Sequence, residues 1–249
     1  MTPEADWAAL WEETRIDLDA PAREERTPRW RGQQRLVEEL FGSIAGLDVI
    51  EVGSGQGLNA LLYGQHGANV TLLDNEQIAL DHAALLHGPS GVTFTPVLAD
   101  VFDLPGDLLG AFDVSMSFGL CEHFVGEQRK QIIAAHLALL RPGGVAMIGV
   151  PNRLAPGYRL WKAVMTRRGT WIFGTEKPFA AGELASIGRA VGGEPLKPIY
   201  GSFISSLVSH LVNQGLYKLG RPGVPVPQHR VPLLDRFAYE LVVPIRRPA

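Results

Sequence analysis

Hydrophobic positions change their rhythm twice along the chain. From Leu47 to Pro151, short near-continuous apolar runs alternate with stretches whose apolar residues recur every three or four positions. The runs predict strands over 47–52, 69–74, 92–98, 112–118 and 144–150; the stretches between them predict helices near 57–67, 76–87 and 126–140. Strands this apolar are buried on both sides, so the pattern predicts an α/β fold, a doubly wound parallel sheet covered by helices. At 141–144 the segment RPGG places Pro and Gly at a helix exit and predicts the turn into the fifth strand.

Outside this region the pattern is helical and looser. Trp7, Leu10, Trp11 and Thr14 fall at helical spacing, a Pro/Arg/Glu-rich hinge follows at 20–29, and Trp30, Leu36, Val37, Leu40 and Phe41 form a second amphipathic face. After Pro151, Tyr158, Trp161, Trp171 and Phe173 stand among basic residues and glycines over 152–179. A helix over 180–191, a strand around 195–200, a helix over 202–219, a Pro-rich connector at 221–232 and a last strand over 237–245 complete the reading. This divides the chain into a helical extension, 1–45, and one domain, 46–249, with cap or lid insertions at about 152–179 and 202–232.

Composition narrows the class. The chain of 249 residues can bury a sizeable core without cross-links, and the single cysteine, Cys121, excludes an intramolecular disulfide. No apolar run is long enough to span a bilayer, and the acidic first residues are unlike a signal peptide. A net charge of −3 gives no electrostatic reason to expect nucleic acid. The expectation is a cytoplasmic protein acting on a small molecule, without nucleic-acid partner or stable membrane insertion, and with a homodimer left open.

The chemistry starts at the end of the first strand. LDVIEVGSGQG ends in Glu51 and then sets Gly53, Gly55 and Gly57 at alternate positions around Ser54; the next strand, NVTLLD, ends in Asp74. Bare glycines let a ligand lie against the backbone, and a carboxylate at the next strand end suits a ribose diol, so the pair predicts a nucleoside pocket. The spacing is G-x-G-x-G, and Leu58 stands where a dinucleotide turn needs its third glycine. Glu51 beside the turn disfavours a diphosphate and favours a positively charged nucleoside. A nicotinamide-dependent oxidoreductase is therefore the least favoured enzyme reading.

With these segments in order, the region 47–151 resembles the class I S-adenosylmethionine-dependent methyltransferases of the broad small-molecule group. The resemblance rests on EVGSGQG, LLDNE, LADVFDLP, FDVSMSFGLCEHF and LLRPGGVAMIGVPN. It implies a Rossmann-like, mostly parallel, seven-stranded sheet whose last strand is antiparallel, with N-terminal helices and a helical, aromatic cap. It also implies S-adenosyl-L-methionine as cofactor. Asp74 would hold the ribose, Asn75 would flank the adenine, and Asp100 with Val101 would meet the adenine amino group. Gly53, Ser54 and Gly55 would run past the methionine part, and Phe118 and Gly119 would face the sulfur and its methyl group.

Glu122 and His123 are the candidate catalytic pair. Related O-methyltransferases complete a metal cluster with a further glutamate three positions earlier, where this chain has Gly119, so no metal is expected. His123 could act as general base toward a hydroxyl, while the bland alternative for both residues is shaping the pocket. His66, His82, His87, His136 and His229 show no metal-ligand spacing and read as helix-surface residues. His210 either enters an acceptor cavity or sits at the polar edge of its helix, the edge being favoured. Tyr158, Trp161, Trp171 and Phe173 line an apolar acceptor pocket or pack the cap's own core. Arg153, Arg159, Lys162, Arg167, Arg168 and Lys177 form a solvated face or hold an acidic substrate. The activity read from this is methyl transfer to a small, partly apolar molecule, most simply at oxygen by in-line SN2 displacement; nitrogen or carbon as target, and a non-catalytic cofactor-binding module, are the alternatives.

Overall fold

Both faces of nearly every strand are apolar, which decides the architecture. The structure, a computed structural model, describes residues 5–249 apart from the side chains at 217 and 218; the first four residues of the helical extension lie outside the described residues. Among the described residues three helices come first: α1 (Trp7–Glu13), α2 (Ala20–Glu24) and α3 (Pro28–Phe41). The alternating region follows as β1 (Asp48–Val52), α4 (Leu58–Gln65), β2 (Asn69–Asp74), α5 (Gln77–His87), β3 (Phe94–Leu98), β4 (Phe112–Phe118), α6 (Gln128–Leu139) and β5 (Leu140–Pro151). The cap and closing elements are α7 (Pro156–Arg167), α8 (Ala181–Ala190), β6 (Glu194–Pro195), β7 (Ile199–Tyr200), α9 (Phe203–Leu207), a π-helical segment (Val208–Asn213), α10 (Gln214–Lys218), α11 (Pro232–Asp235) and β8 (Glu240–Arg246).

The strands form one sheet in the order β3-β2-β1-β4-β5-β8-β6, with β7 also paired to β8. β1 to β5 are parallel, and β8 runs antiparallel between β5 and β6. The sheet has eight strands because the single strand expected over 195–200 is two short ones, with Leu196, Lys197 and Pro198 between them; Pro198 has no N–H to continue a ladder.

Side chains alternate between two cores, as the period of a strand requires. Ile50, Val52, Ile148, Val150, Leu241, Val243 and Ile245 pack with Ile132, Ile133 and Leu137 of α6 and Leu184 of α8. Val49, Leu72, Met116, Val145, Met147 and Val242 pack with Trp30 and Val37 of α3, Leu62 and Tyr63 of α4 and Leu80 of α5. The helical segment before residue 46 is thus part of the second core: Trp30 is fully buried and meets Tyr63 edge to face at 5.1 Å. Truncating a buried Trp of this kind costs about 3–5 kcal/mol.

Three local expectations needed revision. The hinge at 20–29 contains α2 and the start of α3, because Pro21 and Pro28 sit in first helical turns where their missing N–H costs nothing. RPGG lies inside β5 rather than before it. There the register jumps from Phe112↔Leu140 to Val114↔Val145, so 141–144 bulge out, and Arg141 anchors the bulge on Asp48 (2.7 Å) and Asp113 (2.9 Å). His87 and His136 are buried rather than on helix surfaces. His87 donates to the Gly57 carbonyl at 3.0 Å, and burial drives the His136 imidazole down to about 3, keeping it neutral.

Candidate active site

The order 3-2-1-4-5 reverses between β1 and β4, and the carboxyl ends around that reversal are where parallel sheets leave a crevice. A cavity of about 700 Å³ opens there. Its floor is the turn from β1 to α4. Gly55 (φ 51°) and Gly57 (φ 67°) adopt left-handed backbone that a side chain would strain. A Cβ on Gly55 would also stand 2.5 Å from Trp11 Cη2, and one on Gly57 2.6 Å from Leu72 Cδ1. The turn is pinned by Ser54 N–H to the Leu73 carbonyl (3.1 Å) and Gly57 N–H to the Ser54 carbonyl (2.8 Å).

Asp74 stands at the end of β2 against this turn. Its Oδ2 accepts from Gly55 N–H at 2.8 Å and its Oδ1 from Glu76 N–H at 3.0 Å. Burial raises the carboxyl above its usual range, while the N–H groups of Gly55, Glu76 and Asn75 pull it back. Each oxygen keeps acceptor capacity for a further donor, as a vicinal diol would require. Asp100 at the end of β3 is exposed and accepts from Phe102 N–H at 2.8 Å. Gly53, Ser54, Gly55, Asp74, Asn75, Asp100, Val101, Phe118 and Gly119 all line the one cavity. The arrangement fits a nucleoside bearing an amino-acid tail: bare backbone at the turn, a diol acceptor at β2, a polar rim at β3.

Glu51 and Gly57 are not among the lining residues. Glu51 is buried, with one oxygen accepting Ala60 N–H (2.8 Å) and the other the Asn59 amide (3.3 Å). It satisfies first-turn donors of α4. Burial pushes its carboxyl up to about 7, against the pull of these hydrogen bonds and of Arg29.

At the far end of the cavity the cap closes in. Tyr158 and Trp161 of α7, Trp171 and Phe173 of the following loop, and His210 of the π-helical segment all line it. Their rings form a connected set: Trp161 to Trp171 at 5.3 Å, Trp171 to Phe173 at 5.2 Å, and Tyr158 to His210 at 5.9 Å. His210 therefore lies in the cavity wall rather than at an outer edge. Its Nδ1 donates to the Ser206 carbonyl at 2.8 Å, and its ring meets Tyr239 at 4.6 Å.

Glu122 and His123 join the two ends. Glu122 is 3% exposed, its Oε2 has no hydrogen-bond partner among the described residues, and burial, reinforced by Glu176, pushes its carboxyl up to about 8. The His123 Nδ1 lies 2.9 Å from the Thr175 carbonyl, which can only accept, so Nδ1 carries the proton and Nε2 keeps its lone pair. Burial lowers the His123 imidazole below its usual range, with the carbonyls of Thr175, Gly119 and Phe173 opposing.

Sequence reasoning missed Glu176, Tyr239 and the cavity roles of Trp7 and Trp11, all of which line the site. Glu176 was findable as the sole acid within 152–179. It accepts from the Tyr158 hydroxyl, and burial pushes it up to about 7. Lys162, read as part of a basic run, turns inward. It donates to the Glu176 backbone carbonyl, sits 4.7 Å from the Trp171 ring centre, and is lowered to about 8 by burial. Arg153, Arg159, Arg167, Arg168 and Lys177 are exposed.

Fold and site together define a nucleoside-binding enzyme with a capped second compartment, and comparison with known proteins gives the class. The Methyltransferase domain family matches residues 49–144. A ubiquinone biosynthesis O-methyltransferase of Pseudomonas aeruginosa (strain UCBPP-PA14) is 30% identical over 181 residues, covering 70% of this chain and 75% of the relative. Its counterpart in Bordetella avium is 30% identical over 166 residues, covering 64% and 67%; for the Chromobacterium violaceum counterpart, 52% of the relative is covered. In fold, the chain is similar to a Burkholderia thailandensis 1,6-didemethyltoxoflavin-N1-methyltransferase solved with 1,6-didemethyltoxoflavin and S-adenosylhomocysteine. The TM-score is 0.58 at 18% identity, over 98% of this chain and 86% of the other. The chain belongs to the class I S-adenosylmethionine-dependent methyltransferases. It is an enzyme, and S-adenosylmethionine is its methyl donor.

Proposed function

We propose that the protein methylates a hydroxyl group on a small, partly apolar molecule, with His123 as general base. The observation that carries this reading is the His123–Thr175 hydrogen bond, which leaves Nε2 unprotonated in a cavity that continues into the aromatic cap. The names of the curated relatives, O-methyltransferases of ubiquinone biosynthesis, support oxygen as the target.

When bound, S-adenosylmethionine supplies an electrophilic methyl group on a sulfonium. Asp74 would hold the ribose hydroxyls, Asn75, Asp100 and Val101 the adenine, and Gly53, Ser54 and Gly55 the amino-acid tail, with Phe118 and Gly119 beside the sulfur. The aromatic set Tyr158, Trp161, Trp171, Phe173 and His210 would seat the acceptor and exclude water. His123 Nε2 would take the hydroxyl proton as the oxygen attacks. Holding nucleophile and methyl in line supplies on the order of 7–11 kcal/mol of barrier reduction in favourable cases, and the base a further 10²–10⁴-fold or so.

The carboxyls of Glu122 and Glu176 favour one second reading, a neutral amine acceptor held by hydrogen bonds to these groups and methylated at nitrogen. A methyl-labelled S-adenosylmethionine assay against matched phenols and anilines tests both. Label on the phenol, slowed at least about a hundredfold by His123→Ala with S-adenosylhomocysteine affinity unchanged, is expected. Label only on the amine, or equal rates in the variant, refutes the hydroxyl reading.

A further inference from the structure

The helical extension expected to stand outside the domain supplies part of the cavity wall. α1 has seven residues and none is buried. Trp7 and Trp11, four positions apart, share one side of it, and both line the cavity. The Trp11 indole lies over the glycine turn, its Cη2 2.5 Å from where a Cβ on Gly55 would stand, and its ring is 6.3 Å from that of His82 on α5. Trp7 meets the His123 ring edge to face, at 4.8 Å and 82°. One short helix thus touches the turn that carries the cofactor and the imidazole proposed as base.

Its other attachments are slight. The Gln56 amide donates to the Arg15 carbonyl at 3.4 Å, and residues 14–19, which link α1 to α2, include no buried position. A helix with no buried residue opens at low free-energy cost, so its two indoles are the contacts that hold it shut. Those contacts are also well placed. The Trp11 ring covers the backbone of Gly55, whose N–H is the donor to Asp74. The imidazole of His123 is held from two directions, by the Thr175 carbonyl at Nδ1 and by the Trp7 edge; a ring restrained on two sides keeps one tautomer and one heading.

We propose that α1 is a strap that closes over the bound cofactor, Trp11 sealing the glycine turn and Trp7 serving as the positioning residue that fixes His123. The strap rests on the cofactor assignment, and the role of Trp7 rests on the reading of His123 as base. Cofactor binding then orders the base, so that the acceptor compartment is competent when the donor is in place.

Two measurements on the full chain test it, neither relying on turnover. Hydrogen–deuterium exchange is followed with and without saturating S-adenosylhomocysteine, alongside calorimetry. The α1 amides should slow at least about tenfold on binding, and Trp11→Ala should weaken S-adenosylhomocysteine about tenfold while Trp11→Phe retains most of the affinity. Binding with unchanged α1 exchange and an unimpaired Trp11→Ala variant overturns the strap and leaves the cofactor site standing. No binding to the wild-type chain overturns both. The second measurement is a long-range proton–nitrogen spectrum of the histidine rings, with His123 assigned from His123→Gln. With saturating S-adenosylhomocysteine, a single Nδ1–H tautomer is expected in the wild type and in Trp7→Phe, and an averaged pair of tautomers in Trp7→Ala. An unchanged His123 signal in Trp7→Ala, or averaging that Trp7→Phe fails to rescue, overturns the positioning role.

Discussion

Replacing Glu122 by glutamine preserves the size of the side chain and removes its proton equilibrium. In the folded protein the carboxyl is pushed up to about 8, first by burial and then by Glu176, against a reference value of 4.5. Between those values the folded state holds a proton that the unfolded chain has released, so the contribution of this group to stability is fully present below pH 4.5 and is lost as pH rises through 8. With nearly one proton of difference the slope approaches about 1.4 kcal/mol per pH unit, and the loss between pH 5.5 and 7.5 is roughly 2 kcal/mol. Glu122→Gln should escape that loss. Glu51, pushed to about 7, tilts the curve the same way in both proteins, so the difference between the curves reports Glu122 together with its coupling to Glu176 and Lys162. Urea unfolding at pH 5.5, 6.5 and 7.5 measures it: the variant should gain on the wild type by roughly 2 kcal/mol across the series, about 4–8 °C in melting temperature. Parallel curves, or a variant that loses ground as pH rises, would refute the argument that Glu122 is buried and neutral.

Asp74→Ala removes the acceptors placed for the ribose diol, together with the hydrogen bonds from Gly55 N–H in the glycine turn and from Glu76 N–H after β2. S-adenosylhomocysteine affinity should fall on the order of a hundredfold by calorimetry; retention of full affinity contradicts the assignment. Asn152→Ala frees one buried and one part-buried acceptor, because the Asn152 amide donates to the carbonyls of Ala238 and Arg236 at 2.9 Å. It should cost about 2–4 kcal/mol in chemical denaturation, and a loss below 1 kcal/mol would mean water takes over those groups.

What could be read from the chain divides along physical lines. β2 is an apolar run ending in an acid, β1 and β4 are apolar runs followed directly by glycine, and local pattern places Asp74, Gly55 and Phe118 at strand ends. Parallel topology then brings Asp100 beside them. The bulge at RPGG was hidden because it depends on Arg141 reaching Asp48 and Asp113, contacts far apart in sequence. Glu51 stands next to the turn in sequence, and that its oxygens accept from Ala60 N–H and the Asn59 side-chain amide is a contact that sequence does not display. Tyr239, Glu176 and Trp7 meet in the cavity from three distant segments. Nothing periodic marks a residue whose role comes from where a loop or a short helix is draped. The inward turn of Lys162 is of the same kind, since its spacing matches that of the exposed arginines around it.

The placement of β8 between β5 and β6 bears on how the chain is made. Val145 through Pro151 pair with Glu240 through Arg246, roughly a hundred residues later. Until those residues leave the ribosome, the nascent chain presents an unpaired edge along Val145, Met147, Ile148 and Val150, apolar on both faces and a template for any extended strand nearby. The cap segments are synthesised during that interval. Stalled synthesis anywhere between 152 and 239 would release chains that carry the complete nucleoside crevice beside an open, adhesive sheet edge. Such fragments are the species that chaperones and proteases would have to clear.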